Sequence, residues 1–319
     1  MAVNDEIIVA DLGGTHARFA LGRREKGTIT LSKIRQFKVR DYSSVDEVAA
    51  EFLRGADAKP AIGCFAMAGP VLDETVKFTN SPWVLGSAEI KRALGLASFK
   101  VVNDFEALAS GVRLLTDDDF EIIKSGHGDP EKPTLIIGPG TGLGQAISVK
   151  RKIIATEGGH VLFAPIGAAQ KAVIEKLEMR FHRVSVERLL SGNGLVEIYC
   201  ALSGVDIGLW SGEAVTAAAR SGGDQFAVEA VSMFCEMLGQ AVGDAVLATG
   251  ALGGVILAGG ILPQMRELLN ESAFVERFND KAEMSKYMSS IPVRLIIRDN
   301  VALLGAADMV VGHARLGAS

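Results

Sequence analysis

The feature that most constrains the fold of this 319-residue chain is a glycine-rich turn between two strand-like segments, which occurs twice. The first turn contains Gly13 and Gly14 and follows the apolar run Glu6–Asp11. The second turn, Gly138–Gly144, holds four glycines in seven residues. A pattern that restarts in this way indicates two related halves. The length, about twice that of a usual single domain, also favours two domains.

Strand and helix patterns alternate around both turns, which is typical of an α/β fold. In the first half, strands are expected at Glu6–Asp11, Arg18–Gly22, Thr28–Val39, Ile62–Ala66 and Phe99–Val102, and helices at Ser44–Leu53, Ser87–Leu94 and from Asn103 onward. In the second half, strands are expected at Thr134–Gly138, Gln145–Val149, Gly254–Gly259 and Val293–Ile297, and helices at Val186–Ala201, Gly212–Ala219, Gln225–Leu247 and Asn300–Val311. A linker is expected near Leu115–Glu131.

Composition argues against several classes of function. The formal net charge is −5, which repels a phosphate backbone, so nucleic acid is not an expected partner. The three cysteines are far apart and form no CxxC pair, which argues against a zinc knuckle or a disulfide framework and indicates a reducing compartment. The first residues lack the basic-then-apolar order of a signal peptide.

The segment Ala245–Met265 carries no charge and is long enough to cross a bilayer. Several glycines and Pro263 interrupt it, however, and these residues break regular elements. We therefore predict a helix end, a buried strand and a turn, and no membrane partner.

The first glycine turn, Asp11–Thr15, has residues suited to a phosphate. Paired glycines let backbone N–H groups approach an anion closely, and Thr15 adds a hydroxyl. Asp11 could hold the hydration shell of Mg²⁺. The alternative is a hairpin turn that requires positive φ.

The second glycine turn matches neither of the common nucleotide motifs. No Gly-Lys-Ser/Thr follows it, so it is not a Walker A loop, and the residues after it have a strand pattern instead of the helix that a dinucleotide fingerprint requires. Two glycine turns at the starts of two halves suggest two clamps on one polyphosphate.

Three further groups of polar or small residues could bind a ligand. Asn103 and Asp104 lie where a strand meets a helix, where they act either as an ordinary N-cap or as a carboxylate that accepts a hydroxyl proton. The pair Glu157 and His160, beside glycines, suggests polar groups around a hydroxyl-rich ligand. Glu187 is either a further polar group of this kind or an acid in the first turn of a helix, where the helix dipole favours it. The glycines of Leu257–Ile261 either make room for a purine or turn the chain.

Taken in order, these motifs resemble the bacterial glucokinases of the hexokinase/actin-like superfamily, and they cover nearly the whole chain. The stretches that carry the resemblance are Ala10–Arg18, Val102–Ala107, Gly138–Gly144, Glu157–His160, Glu187 with Ser191–Gly194, and Leu257–Ile261. His16 stands where many relatives have asparagine. Residues 161–199 contain no cysteine, which argues against the related zinc-bearing branch and its DNA-binding repressors.

The resemblance implies two ribonuclease-H-like (actin-like ATPase) α/β domains around a central cleft. The small domain would hold residues 1–110 with the C-terminal helix 300–319, and the large domain residues 111–299. It also implies ATP and Mg²⁺ as cofactors, with Asp11 positioning the metal through water. The residues implied near the nucleotide are Ala10, Asp11, Leu12, Gly13, Gly14, Thr15, Gly138, Gly140, Thr141, Gly142, Gly259 and Gly260.

The implied activity is phosphorylation of glucose at its 6-hydroxyl, the first step of glycolysis, by a cytoplasmic homodimer. Asp104 would be the catalytic base, and the residues implied around glucose are Asn103, Asp104, Glu157, His160 and Glu187. The alternatives are a kinase for another hexose, such as mannose or fructose, a non-enzymatic sugar sensor on the same fold, and an ATPase of the actin or chaperone type.

Overall fold

The computed structural model of the protein describes residues 6–25, 27–69, 75–77, 83–206, 208 and 210–311. Contacts divide the chain into one unit of Met1–Asp117 with Arg298–Ser319 and a second unit of Asp118–Ile297. The sequence placed these divisions at residues 110 and 300, and its domain assignment stays a prediction. The final helix is described from Val301 to Val311, and residues 312–319 of its predicted extent lie outside the described residues.

The described residues form thirteen strands and twelve helices. The strands are β1 (Glu6–Leu12), β2 (His16–Glu25), β3 (Thr28–Lys38), β4 (Ile62–Met67), β5 (Thr75–Lys77), β6 (Val84–Gly86), β7 (Ser98–Asn103), β8 (Phe120–Lys124), β9 (Thr134–Pro139), β10 (Leu143–Val149), β11 (Lys152–Thr156), β12 (Gly254–Leu257) and β13 (Val293–Ile296). The helices are α1 (Val45–Ala56), α2 (Ser87–Ala93), α3 (Asp104–Val112), α4 (Gly167–Glu178), α5 (Val186–Leu189), α6 (Gly192–Ser203), α7 (Gly212–Ser221), α8 (Gln225–Thr249), α9 (Arg266–Glu271), α10 (Phe274–Asn279), α11 (Ser285–Ser289) and α12 (Val301–Val311).

The main sheets of the two units share one topology. The first has the order β3-β2-β1-β4-β7, in which β1, β4 and β7 are parallel while β2 and β3 are antiparallel. The second has the order β11-β10-β9-β12-β13-β8, with β9, β12 and β13 parallel and β10 and β11 antiparallel. Strands β9 to β13 therefore repeat the arrangement of the first sheet, and β8 adds an antiparallel edge. The internal repeat predicted from the glycine turns is confirmed: the first turn joins β1 to its antiparallel neighbour β2, and the second joins β9 to its antiparallel neighbour β10.

Strand β1 lies in the middle of the first sheet and is buried on both faces, as expected of a strand with parallel and antiparallel neighbours. Because side chains alternate along a strand, Ile8 and Leu12 share one face and Ile7 and Val9 the other. The first face packs in a cluster that contains the aromatic rings of Phe19, Phe37, Phe52 and Phe65. The second face packs in a cluster with α12.

Helices α3 and α12 pack against each other through two glycines. A Cβ on Gly305 of α12 would collide with the carbonyl oxygen of Ala107 in α3, and a Cβ on Gly111 would collide with the carbonyl oxygen of Val301. Ser110 donates a hydrogen bond to Asp308 Oδ2 at 2.9 Å across the same contact. The position of α3, which begins at Asp104, is therefore fixed by its close packing against α12, the last described helix.

The core of the second unit surrounds α8, whose 25 residues run from an Asp224 N-cap to Gly250 in the left-handed conformation. Among the described residues, α8 is the one helix that is both long enough and apolar enough to cross a membrane. However, 72% of its most apolar stretch is buried inside the protein. The prediction for Ala245–Met265 is confirmed: α8 ends at Thr249, β12 follows, and a 3-10 turn spans Leu262–Met265.

One prediction of local structure was wrong. The helix expected at Val186–Ala201 is two helices, because Ser191 caps a new one by accepting a hydrogen bond from the Gly194 amide at 3.1 Å. The boundary between the two units, between Asp117 and Asp118, lies within the range expected for the linker. The same range also contains β8, a strand that was not predicted and that pairs with β13.

Candidate active site

The carboxyl ends of three parallel strands lie in one row at the edge of the first sheet. Leu12 of β1 pairs with Met67 of β4, which pairs with Asn103 of β7. Neighbouring strands are about 4.8 Å apart, so β1 and β7 are separated by roughly 10 Å. The fold therefore brings the turn after Leu12 and the Asn103–Asp104 pair to the same edge, where ligands of open α/β sheets bind.

Asn103 is the N-cap of α3, as one of the two sequence interpretations held. Its Oδ1 accepts hydrogen bonds from the amides of Phe105 at 2.9 Å and Glu106 at 3.1 Å, and its Nδ2 donates to the Gly69 carbonyl at 3.1 Å. One N–H of the Asn103 side chain has no partner among the described residues. Asp104, half-buried, is the first residue of α3, and its Oδ1 also accepts from the Phe105 amide, at 2.9 Å.

The first glycine turn is closed by a hydrogen bond from the Gly13 amide to the His16 carbonyl at 3.0 Å. Ala10 and Leu12, predicted beside the cofactor, are fully buried, so their side chains belong to the core. Asp11 lies opposite Arg18 in the β1–β2 register, with Oδ2 and Nη1 3.5 Å apart. Burial raises the pKa of Asp11, while the guanidinium of Arg18 acts in the opposite direction.

The donor set at this turn fits a magnesium ion held together with a nucleotide. Mg²⁺ is usually bound by one or two carboxylates, substrate phosphates and water, not by a cage of protein ligands. Asp11 offers such a carboxylate, with its side chain 26% exposed. In the described part of the chain, no group of three or more His, Cys, Asp or Glu side chains could hold a metal by itself.

The second glycine turn is tied to the start of two helices. The carbonyl of Gly140 accepts a hydrogen bond from the amide of Gly192, in the first turn of α6, at 2.9 Å. The amide of Leu143 donates to Oε2 of Glu187, in α5, at 2.8 Å. A Cβ on Gly142 would collide with this same carboxylate, whereas a Cβ on Gly140 would have no atom within 4 Å.

The three polar residues predicted around glucose in the second half come together. The turn Gly158–His160 follows β11, and Oε2 of Glu157 lies 3.7 Å from Nε2 of His160. On the other side of the imidazole, Nδ1 lies 4.0 Å from Oε1 of Glu187. The side chains of Glu157, His160 and Glu187 are 52%, 61% and 33% exposed, so all three can reach a ligand. Ser185 caps the helix that carries Glu187.

The carboxyl ends of β9 and β12 approach each other at glycines. These strands pair in parallel as far as Ile137 and Leu257, and a Cβ on Gly259, at φ +88°, would collide with the carbonyl oxygen of Pro139. Gly260 has open space beside it. The predicted adenosine residues therefore lie next to the second glycine turn.

Sequence reasoning did not assign Gly192 and Ile261 to the site. A Cβ on Gly192 would lie 3.6 Å from the Gly140 carbonyl and 3.7 Å from Cδ1 of Ile261, so both border the second turn. The sequence signal that could have assigned Gly192 to the site is the segment Ser191–Gly194. Its serine and two glycines are typical of a helix start that approaches other backbone closely.

The repeated sheet topology, with a glycine turn in each half, defines the class of actin-like ATPase folds to which sugar kinases belong. The chain belongs to the glucokinase family, whose model, described as Glucokinase, matches residues 8–313. The resemblance inferred from the motifs is thereby confirmed.

Individual relatives agree with this assignment. A glucokinase from Hahella chejuensis is 38% identical over 309 residues, which cover 94% of this chain and 95% of the relative. The solved structure of a glucokinase from an Antarctic psychrotroph has a TM-score of 0.83 and 34% identity, covering 97% of this chain and 99% of that chain. A ROK family glucokinase from Streptomyces griseus, solved with glucose and AMPPNP, has a TM-score of 0.70 and 21% identity over 96% of this chain and 99% of that chain, and supports the fold.

Proposed function

We propose that the protein transfers the γ-phosphoryl group of ATP to the 6-hydroxyl of glucose, giving glucose 6-phosphate in the first step of glycolysis. The observation that carries this proposal is the position of Glu187, which accepts from the Leu143 amide of a glycine turn and lies 4.0 Å from His160. A carboxylate shared by a phosphate turn and a polar cluster suits an enzyme that joins a nucleotide to a hydroxyl-rich acceptor.

Glu157, His160 and Glu187 hydrogen-bond the sugar hydroxyls, and Asn103 adds its remaining amide N–H. Carboxylates accept from hydroxyl groups, while the imidazole and the amide can donate to hydroxyl oxygens. A site that pairs every hydroxyl rejects a sugar that lacks one, because a protein polar group is then left without its partner. This matching is the source of selectivity for glucose.

Asp104 is the catalytic base. Its carboxylate accepts the proton of the 6-hydroxyl as that oxygen attacks the γ-phosphorus of ATP, while the bond from phosphorus to the bridging oxygen of ADP breaks. Its place at the carboxyl end of β7 supports this role. The other sugar-binding residues act by holding the hydroxyl in line for attack.

The two glycine turns hold the phosphates through backbone N–H groups, with Gly13, Gly14 and Thr15 in one turn and Gly138 and Gly140–Gly142 in the other. Gly259 and Gly260 make room for adenosine. Asp11 holds Mg²⁺ through water, and when bound the ion neutralises charge on the phosphates. The closing of two domains around a cleft, a homodimeric assembly and a cytoplasmic location belong to the same proposal.

The proposal is tested by release of ADP from ATP and Mg²⁺ with glucose, mannose or fructose as acceptor. We expect glucose to give the largest kcat/KM and a product phosphorylated on the 6-oxygen, identified by ³¹P–¹H correlation NMR. A larger value with mannose or fructose would assign the enzyme to another hexose. Binding of glucose without transfer to any acceptor would indicate a sugar sensor, and ADP release without sugar an ATPase.

A further inference from the structure

A cavity of about 250 Å³ opens beside the first glycine turn and is lined by Gly14, Thr15, His16, Lys38 and Arg40. At about 30 Å³ per water molecule, the cavity has room for roughly eight waters, enough for a hydrated phosphate group. The chain carries a net charge of −5, yet the residues that line this cavity include the two cations Lys38 and Arg40, together with His16. This local excess of positive charge has no part in the sugar, phosphate or metal contacts proposed for the active site.

Backbone pairing fixes Lys38 and Arg40 beside the turn. His16 pairs with Lys38 in the β2–β3 register, and the amide of Val39 donates to the carbonyl of Thr15 at 3.0 Å. Val39 is 4% exposed and belongs to the core of the first unit. With Val39 directed inward, its two neighbours are left exposed on either side of it. The basic pair is therefore held in place by the same hydrogen bond that ties β3 to the turn.

The turn also offers donors that its own structure does not use. The Gly13 amide is taken by the carbonyl of His16, but the amides of Gly14 and Thr15 have no hydrogen-bond partner within the described residues. Arg40 contacts Asp41, with Nε and Oδ1 3.7 Å apart, and both side chains are largely exposed. An exposed pair of this kind is weak and is readily exchanged for a phosphate.

We propose that Lys38 and Arg40 form the cationic wall of a pocket that binds the terminal phosphates of the nucleotide, and that His16 lines this pocket beside them. The inference rests on the proposed function, because it assigns the phosphate at the first glycine turn to ATP. The turn supplies N–H donors and the β3 end supplies charge, so the two together recognise a phosphate dianion. Lys38 and Arg40 thus determine affinity for the nucleotide and leave glucose binding unchanged.

The test compares Lys38→Gln, Arg40→Gln and the double variant with Arg24→Gln, which removes one exposed positive charge at the far end of β2. Arg24 is eight residues from His16, about 26 Å along the strand at about 3.3 Å per residue. Calorimetry measures binding of AMPPNP with Mg²⁺, and of pyrophosphate as a phosphate probe. Steady-state kinetics give the KM values for ATP and glucose.

We expect each single variant to weaken AMPPNP and pyrophosphate binding and to raise the KM for ATP about fivefold, as for other exposed ionic contacts, with a larger effect in the double variant. The glucose KM and the properties of Arg24→Gln should stay within about twofold of the wild type. Pyrophosphate should compete with AMPPNP.

The inference is overturned if the double variant binds both probes as Arg24→Gln does. It is also overturned if pyrophosphate binds through Lys38 and Arg40 without displacing AMPPNP, because the cavity would then be a separate anion site. Competitive binding of both probes in a wild-type protein that phosphorylates no sugar would support the pocket while contradicting the proposed function.

Discussion

Oε2 of Glu187 accepts a hydrogen bond from the amide of Leu143 at 2.8 Å, so one carboxylate joins a glycine turn to the polar residues beside it. Its other oxygen lies 4.0 Å from Nδ1 of His160. Any change that displaces Glu187 therefore alters both the turn and the imidazole. Polar networks of this kind depend on every member being in place.

The two middle glycines of the second turn should respond differently to a side chain. In Gly140→Val the new Cβ has no atom within 4 Å, so we expect the protein to fold, while the side chain blocks approach of a phosphate to the backbone. In Gly142→Ala the new Cβ displaces Glu187. We expect Gly140→Val to raise the KM for ATP more than tenfold with little change in glucose binding, and Gly142→Ala to weaken glucose binding measured without ATP.

Calorimetric titrations with glucose and with AMPPNP separate these effects, and thermal melts report on folding. Glu178→Gln, an exposed change at the end of α4, serves as a control for general effects of altering the second unit. Equal loss of both ligands in both glycine variants, with a lowered melting temperature, would show that the turn has only a structural role.

Asp104→Asn should abolish most of the turnover and leave the fold intact. A positioned general base contributes about 10²- to 10⁴-fold to a rate, and asparagine cannot accept the proton. The cap of α3 is made by Asn103, so the change leaves the start of the helix in place. We expect kcat to fall by about 10²-fold or more while glucose binds with nearly normal affinity by calorimetry.

The matched control is Glu106→Gln, which removes the other carboxylate in the first turn of α3. This variant should keep kcat within a few-fold of the wild type, since Glu106 has no assigned part in the reaction. If Asp104→Asn retains a comparable kcat, Asp104 is a helix-start residue and the base lies elsewhere.

Much of the fold could be predicted from the sequence because buried strands and glycine turns leave local patterns. The apolar run before Gly13 is β1, and the run before Gly140 is β9. By contrast, β8 follows three consecutive aspartates, and its strand conformation comes from pairing with the distant β13. Such a strand is defined by tertiary contacts, which no local pattern records.

The candidate site likewise contains some residues whose proximity follows from local sequence and others that only tertiary contacts bring together. Glu157 and His160 are three residues apart in a glycine turn, so their proximity could be expected from sequence. Glu187 joins them only because the segment before α5 runs alongside the chain after His160, with Leu162 and Ser185 bridged. Lys38 and Arg40 were not predicted because their relation to the first turn depends on the β2–β3 register.

The contact between α3 and α12 predicts the sign of a stability change. In the interior of a helix, glycine is destabilising relative to alanine by roughly 0.5–1 kcal/mol, so Gly305→Ala would stabilise an isolated helix. Here the new Cβ collides with the backbone of Ala107, and overpacking of this kind typically costs about 1–3 kcal/mol. We expect a lower free energy of unfolding in urea, and an increase would show that the helices separate easily.

The hydrogen bond between Tyr199 and Asp224 predicts a loss of stability in alkali. Tyr199, buried in α6, donates from its hydroxyl to Oδ2 of Asp224, the N-cap of α8, at 2.8 Å. Burial, reinforced by this hydrogen bond, raises the pKa of Tyr199 to about 12 from its ordinary value of 10.0. The folded state therefore keeps the proton more tightly than the unfolded state does.

The contribution of Tyr199 to stability should be complete below pH 10 and should be lost as the pH rises through 12, because only the unfolded state ionises in this window. In Tyr199→Phe this titration is absent, while the other tyrosines ionise as before. The free energy of unfolding, measured in urea from pH 8 to pH 12, should thus fall more steeply in the wild type than in Tyr199→Phe, and the gap between them should narrow above pH 10. Parallel curves for the two proteins would mean that Tyr199 ionises equally easily in both states and that the hydrogen bond to Asp224 does not hold its proton.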